Sequence, residues 1–356
     1  MYPMIKAVLL FILQIGIMTP TYALSLKSQF VKQLKKSAAK GVMYGHQDDT
    51  LYGFQWKDED DRSDIKDVIG MYPSVMSFDI MGIENGPDSS FRLRRIRKEI
   101  SKQHARGGVV NLTWHATNPV TEGNSWDNHD NTAVRKILTE SHHHKTFITW
   151  IDNLALFFNS LKTEEGESIP VIFCPWHESN GSWFWWGATC SSPEEYKELW
   201  RVMVNRLNEH NVANVIYAYS PGDNLKSGND FLIRYPGDDI ISVFGVEGYA
   251  INTSGSESDR QAFIKRIRKS FDSVSPLAKQ RKKIIAFTET GMKHNTDTQW
   301  WTKALMPAIK GYPICYLVTW RNATNQPDEC YGIYKGHPAE KDFITFASHP
   351  NILFVK

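Results

Sequence analysis

The chain has 356 residues, enough for one large domain or two ordinary ones, and its 41% hydrophobic and 22% charged content allows a sizeable core. A formal charge of +2 at neutral pH gives no electrostatic case for nucleic acid or an anionic membrane as partner. The compositional oddity is aromatic, 12 Trp and 14 Tyr, rings that either fill a bulky core or stack on the apolar faces of sugars.

Residues 1–23 read as a signal peptide. Lys6 precedes an apolar stretch from Ala7 to Met18, shorter than the ~20 residues a spanning helix needs, and Thr21-Tyr22-Ala23 supplies a small-residue cleavage site. No Cys near that point offers lipid attachment, and no later stretch is long and apolar enough to cross a membrane. The expectation is an exported protein, periplasmic or extracellular, whose mature chain begins near Leu24 and forms one domain over 24–356.

A helical pattern at 25–37 forms a lead-in. Apolar runs of strand type then recur at 42–45, 74–78, 108–114, 170–175, 215–219, 240–246, 283–288 and 314–319. Helical patterns lie between most of them. The segment 90–106 sets Phe91, Leu93, Ile96 and Ile100 among bases, and 144–161 carries Phe147, Ile151, Leu154, Leu156 and Phe158. The segment 192–209 opens Ser192-Pro193-Glu194-Glu195, a capped start with Pro in its first turn. Patterns at 259–271, 298–309 and 339–347 complete the series; the helices after the first and fifth strands are short. This alternation predicts a single-domain (β/α)8 (TIM) barrel. A doubly wound sheet would want a glycine-rich phosphate turn, and no GxGxxG or Walker sequence is present.

Active sites of barrels lie at the C-terminal ends of the strands. That rule selects His46, Gln47 and Asp48 after the first strand, Trp114 and His115 after the third, and His177-Glu178 after the fourth. It adds Glu247 and Tyr249 after the sixth, Glu289 after the seventh, and Trp320 and Arg321 after the eighth. Glu178 is followed by four aromatics, Trp183 to Trp186. A carboxyl group so poorly solvated has a raised pKa, which suits a general acid. Glu289 ends a second apolar run, Ile284 to Phe287, before Gly291. Two such carboxyls are what glycoside hydrolysis needs, one protonating the leaving oxygen and the other attacking the anomeric carbon or activating water.

These residues resemble a known family. Gly45-His46-Gln47-Asp48, Thr113-Trp114-His115, the run His177-Glu178-Ser179-Asn180-Gly181-Ser182-Trp183-Phe184-Trp185-Trp186, Thr288-Glu289-Thr290-Gly291 and Thr319-Trp320 look like glycoside hydrolase family 26. Most of its members are β-1,4-mannanases on a retaining (β/α)8 barrel. The resemblance runs from about Gly41 to Trp320 and implies Glu178 as acid/base and Glu289 as nucleophile. It implies that Tyr249 hydrogen-bonds the nucleophile, and that His115, Trp183 and Trp320 line the subsite of the attacked sugar. His177 stands before the acid/base where most of the clan has Asn, and Glu247 stands where the family more often has Asp. The implied protein is a monomeric retaining endo-β-1,4-mannanase acting on β-mannan polysaccharide or oligosaccharide, without cofactor or metal. The alternatives are a sister specificity (mixed-linkage β-glucanase, β-1,3-xylanase or mannobiose-releasing exo-enzyme) and a non-catalytic glycan-binding barrel, which replacement of either Glu would have favoured.

Several features have plainer readings. His142-His143-His144 reads as a solvated polar stretch, since adjacent histidines at a helix start do not converge on one ion. His177-Glu178 is not a zinc-protease motif, because HExxH would need His where Gly181 stands. A glycan on the sequon Asn180-Gly181-Ser182 would obstruct a cleft there, which favours bacterial export. The bases of 90–106 read as a solvated helix face, and Trp185 and Trp186 as either core or sugar platform. Four cysteines allow three full pairings. Cys174 and Cys315, in strand-like runs, are expected as buried thiols, and Cys190 and Cys330, in loops, as the pair to be joined if a disulfide forms.

Overall fold

Eight parallel strands pair in chain order and close on themselves. They are β1 (Val42–Gln47), β2 (Val75–Asp79), β3 (Val109–Trp114), β4 (Val171–Pro175), β5 (Val215–Tyr219), β6 (Ile241–Ala250), β7 (Ile284–Met292) and β8 (Ile314–Thr319). Closure comes from β8 lying against β1, with Met43 opposite Tyr316 and His46 opposite Thr319. The computed structural model describes residues 20–251, 254–293 and 296–356, so the expected signal segment lies almost wholly outside the described residues.

The strands are apolar on both faces because both are covered. Val75, Ile172, Ala218, Val243, Ala286 and Val318 belong to an inner cluster, separate from the larger one beneath the surrounding helices. Helix α1 (Pro20–Ala38) contributes Phe30 and Leu34 to the inner cluster and leads into the start of β1, so it closes the barrel floor. The mouth at the opposite end is thereby left as the open face.

The outer helices include α2 (Phe91–Ala105), α3 (Ser141–Ser160), α4 (Pro193–Glu209), α5 (Glu257–Arg281) and α6 (Glu340–Ala347). The capped start read at Ser192 is present: its hydroxyl accepts from Glu195 N, and the Glu195 carboxylate accepts from Ser192 N at 2.8 Å. The helix expected over 298–309 is a π-helical turn, Trp301–Leu305, running into the short helix Met306–Ile309. A further strand, Ile352–Val355, lies parallel to β1 and antiparallel to Tyr72–Pro73 outside the barrel.

Three expectations are corrected here. The bases of α2 are not simply solvated: Lys98 meets Asp60 at 3.1 Å, Lys102 meets Asp61 at 2.9 Å, and Arg95 donates to Glu59 O at 2.7 Å. The acidic turn 58–61 is thus clamped to the helix. All four cysteines are free and buried, Cys190 and Cys330 included. These two follow β4 and β8, strands on opposite sides of the ring, and their thiols face Asn128 O and Ala323 O instead of each other. Finally, β6 and β7 run past the expected ends at 246 and 288 to Ala250 and Met292, so Glu247, Tyr249 and Glu289 stand within the strands and not just after them.

Candidate active site

Pro175 ends β4, and the next residues fold back sharply. Trp176 and Glu178 both adopt the left-handed region, with φ of 52° and 51°, a conformation L-residues hold only when their surroundings over-determine it. Those surroundings are explicit. Tyr196 donates to Trp176 O at 2.8 Å, Glu178 N donates to Ser220 O at 2.7 Å, and the Trp176 ring is fully buried against Trp114, Trp185 and Trp186. Trp185 and Trp186 are therefore core; their indole N–H groups bond Ala116 O and His177 O. Trp183, 37% exposed, donates to Glu178 Oε2 at 2.7 Å. Burial, then the nearby charge of Glu289, pushes the Glu178 carboxyl up to about 8.

Glu289 is aimed by an irregularity in β7. Phe287 pairs with Val246 and Glu289 with Glu247, leaving Thr288 as an extra residue, and such a bulge re-aims the side chains that follow. Tyr249 donates its hydroxyl to Glu289 Oε1. Burial pushes Glu289 up to about 7, while the Tyr249 bond and His115 pull the other way. Glu247, 1% exposed, sits opposite it with Oε2 lacking a partner among the described residues. Burial and then the charges of Glu289 and Glu178 raise its pKa well above the carboxylate range.

His115 is held from β2. Its Nδ1 lies 3.0 Å from Asp79 Oδ2 and its backbone N donates to Asp79 Oδ1 at 3.2 Å. Burial opposes a charge on His115, but Asp79, Glu289 and Glu178 prevail and raise its pKa. His177 faces it at 4.7 Å between ring centroids and is neutral, its pKa lowered well below the usual value by burial and then by His115. Trp320, whose N donates to Thr290 O at 2.8 Å, lies 5.7 Å from the His115 ring.

The residues chosen from sequence thus converge, with exceptions. His46 is buried against Asp49 at 2.9 Å, and Asp48 is paired with Arg92 at 3.0 Å; both brace the β1 loop. Asp79 was missed, although a carboxylate ending the second strand is the same signal that marked Glu178 and Glu289. His177, Glu247 and Glu289 place donor atoms within 4.8 Å of one another, close enough to hold an ion on distance alone. Glu289 is however engaged by Tyr249, and burial disfavours a charge on Glu247. His143 and His144 face separate backbone carbonyls, Pro119 O and Ile137 O. A cavity of about 600 Å³ at the ends of β1 and β8 is lined by Tyr52, Phe91, Arg92, Arg321 and Thr324.

A closed eight-stranded barrel with a half-buried carboxyl just past β4 and a buried one on β7 has the build of a (β/α)8 glycoside hydrolase. Residues 23–329 match the profile of glycosyl hydrolase family 26, and the chain belongs to that family. Among solved structures it resembles a family 26 β-mannanase from Bacteroides ovatus, at 42% identity and a TM-score of 0.87 over 92% of this chain and 94% of that one. It also resembles the Cellulomonas fimi endo-β-1,4-mannanase, at 32% identity and a TM-score of 0.81 over 92% of this chain and 75% of that one. A mannan endo-1,4-β-mannosidase of Bifidobacterium adolescentis is 33% identical over 348 residues, 91% of this chain; this chain spans only 34% of that relative's length.

Proposed function

We propose that this protein is a retaining endo-β-1,4-mannanase in which Glu178 is the acid/base and Glu289 the nucleophile. The observation that carries the reading is the unlike setting of the two carboxyls. Glu178 is pushed up to about 8 by burial and then by the charge of Glu289, while Glu289, at about 7 through burial, accepts a hydrogen bond from Tyr249 that favours its charged form. Glu178 protonates the glycosidic oxygen as Glu289 Oε attacks the anomeric carbon. Glu178 then takes a proton from the water that releases the glycosyl-enzyme. His115, His177, Trp183 and Trp320 surround the attacked sugar, with Glu247 beside it.

Mannan as substrate is supported by the names of the relatives in Bacteroides, Cellulomonas and Bifidobacterium. A glucan reading has one observation behind it, 25% identity over 160 residues to an endoglucanase H of Acetivibrio thermocellus. The enzyme acts as a monomer after export, a placement that rests on the apolar segment 7–18. Among the described residues no helix is long and apolar enough to cross a membrane. A product profile on mannan, glucomannan and lichenan tests the assignment. Internal cleavage of mannan, giving a spread of oligosaccharides, is expected; release of mannobiose alone would make it an exo-enzyme, and preference for lichenan would overturn the substrate.

A further inference from the structure

Glu178 stands in the turn after β4 and Glu289 on β7, and one set of side chains joins the elements that hold them. Asn180, two residues past Glu178, brackets the β5 loop: its Oδ1 accepts from Gly222 N at 2.7 Å and its Nδ2 donates to Gly222 O at 3.0 Å. The next residue, Asp223, is mostly buried and lies 3.2 Å from Arg266 Nε on α5. Arg266 also donates through its terminal nitrogen to the backbone carbonyl of Tyr249, the residue whose hydroxyl bonds Glu289. Ser270, one turn further along α5, donates to Asp223 O at 2.9 Å.

The chain makes room for this arrangement. A Cβ on Gly248 would stand 2.1 Å from Asp223 Oδ2, so only glycine between Glu247 and Tyr249 lets that carboxylate lie against β6. Burial, opposed by Arg266, pushes Asp223 up to about 6. The contact with Arg266 is an ion pair and not a directed hydrogen bond, since Asp223 Oδ2 has no hydrogen-bond partner among the described residues.

We propose that Arg266 and Asp223 are positioning residues: their ion pair fixes Tyr249 relative to the rim carrying Glu178, and so sets the hydrogen bond that Tyr249 makes to Glu289. Neither touches the sugar. The inference rests on the roles given above to Glu178 and Glu289, so those roles are tested alongside it.

The test is the pH dependence of kcat/KM on a mannan oligosaccharide for wild type, Glu289→Ala, Arg266→Met, Arg266→Lys and Asp223→Asn, with melting curves for each. Loss of the Tyr249 bond raises the pKa of Glu289, so Arg266→Met should move the acidic limb up by about half a pH unit or more and lower kcat/KM about tenfold. Asp223→Asn should shift it the same way by less, and Arg266→Lys should lie between wild type and Arg266→Met. A folded Arg266→Met with an unmoved acidic limb overturns the clasp. If Arg266→Met does not fold, Asp223→Asn and Arg266→Lys decide in its place, unmoved limbs in both overturning the proposal. Wild-type activity surviving in Glu289→Ala would instead overturn the assignment of the nucleophile.

Discussion

Tyr249 reaches Glu289 across one strand boundary: Glu247, two residues before the tyrosine, pairs in register with Glu289, and the tyrosine hydroxyl bonds the Glu289 carboxylate from the next inward position on β6. A bond donated to the charged form favours that form, so it works against the burial that raises Glu289.

Tyr249→Phe removes the donor and keeps the ring. The acidic limb of kcat/KM, which reports ionisation of Glu289, should rise, and the rate below pH 6 should fall about tenfold or more. Apparent values will belong to the coupled pair of carboxyls. A limb that stayed in place would mean that the tyrosine does not control the nucleophile.

Truncating the two carboxyls should separate their roles. Glu178→Ala should lose activity on mannan but keep much of its glycosylation rate on a substrate with a good leaving group, which needs no proton. Glu289→Ala should be inactive on both. The first-formed product should be the β-anomer by proton NMR, as direct attack across about 5–5.5 Å requires; initial α-product would rule out the double displacement.

The same burial makes a stability prediction. Glu178 and Glu289 are raised to about 8 and about 7 in the fold, against about 4.3 for an unfolded Glu. Groups raised in this way bind more protons folded than unfolded. Their contribution is fully present below about pH 4 and is lost as pH rises through 7 to 8. Replacing either by Gln should therefore stabilise the protein at pH 8, by on the order of 1–3 kcal/mol, and change little at pH 4. Thermal melts across that range check it; a Glu289→Gln variant that melts lower than wild type at pH 8 would show that the carboxylate is well solvated or paired in the fold.

Much of the barrel could be read from the chain because its strands are covered on both faces, which writes them as continuous apolar runs such as Val171 to Cys174. Glu178 and Glu289 were visible as polar ends to such runs. Other features depend on pairing across the ring. The bulge at Thr288 is a mismatch between β7 and its neighbours, and no property of Thr288 alone announces it. Asp79 and His115 are 36 residues apart in sequence and meet only because β2 and β3 are neighbours. The bases of α2 carried their charge in sequence, but not the acidic turn 58–61 folded against them.

Trp320 gives the sharpest test of substrate. It continues β8 into the mouth, anchored by its backbone bond to Thr290 O, with its ring beside His115. A ring so placed can carry the attacked sugar while His115 meets its polar edge. Mannose has an axial 2-hydroxyl that crowds in-line attack at the neighbouring carbon, and distortion of the ring toward a boat relieves that crowding on the way to the transition state. A platform suited to the distorted sugar contributes more there than in the ground state. Trp320→Ala should accordingly lower kcat as well as raise KM on mannan. Glucose-based chains, with an equatorial 2-hydroxyl, would gain little from that arrangement. Wild-type kcat/KM on mannan should exceed that on lichenan by at least about a hundredfold, roughly 3 kcal/mol of discrimination. Trp320→Ala should narrow the gap; equal rates of the wild type on the two polymers would remove the mannanase assignment and leave the two-carboxyl mechanism in place.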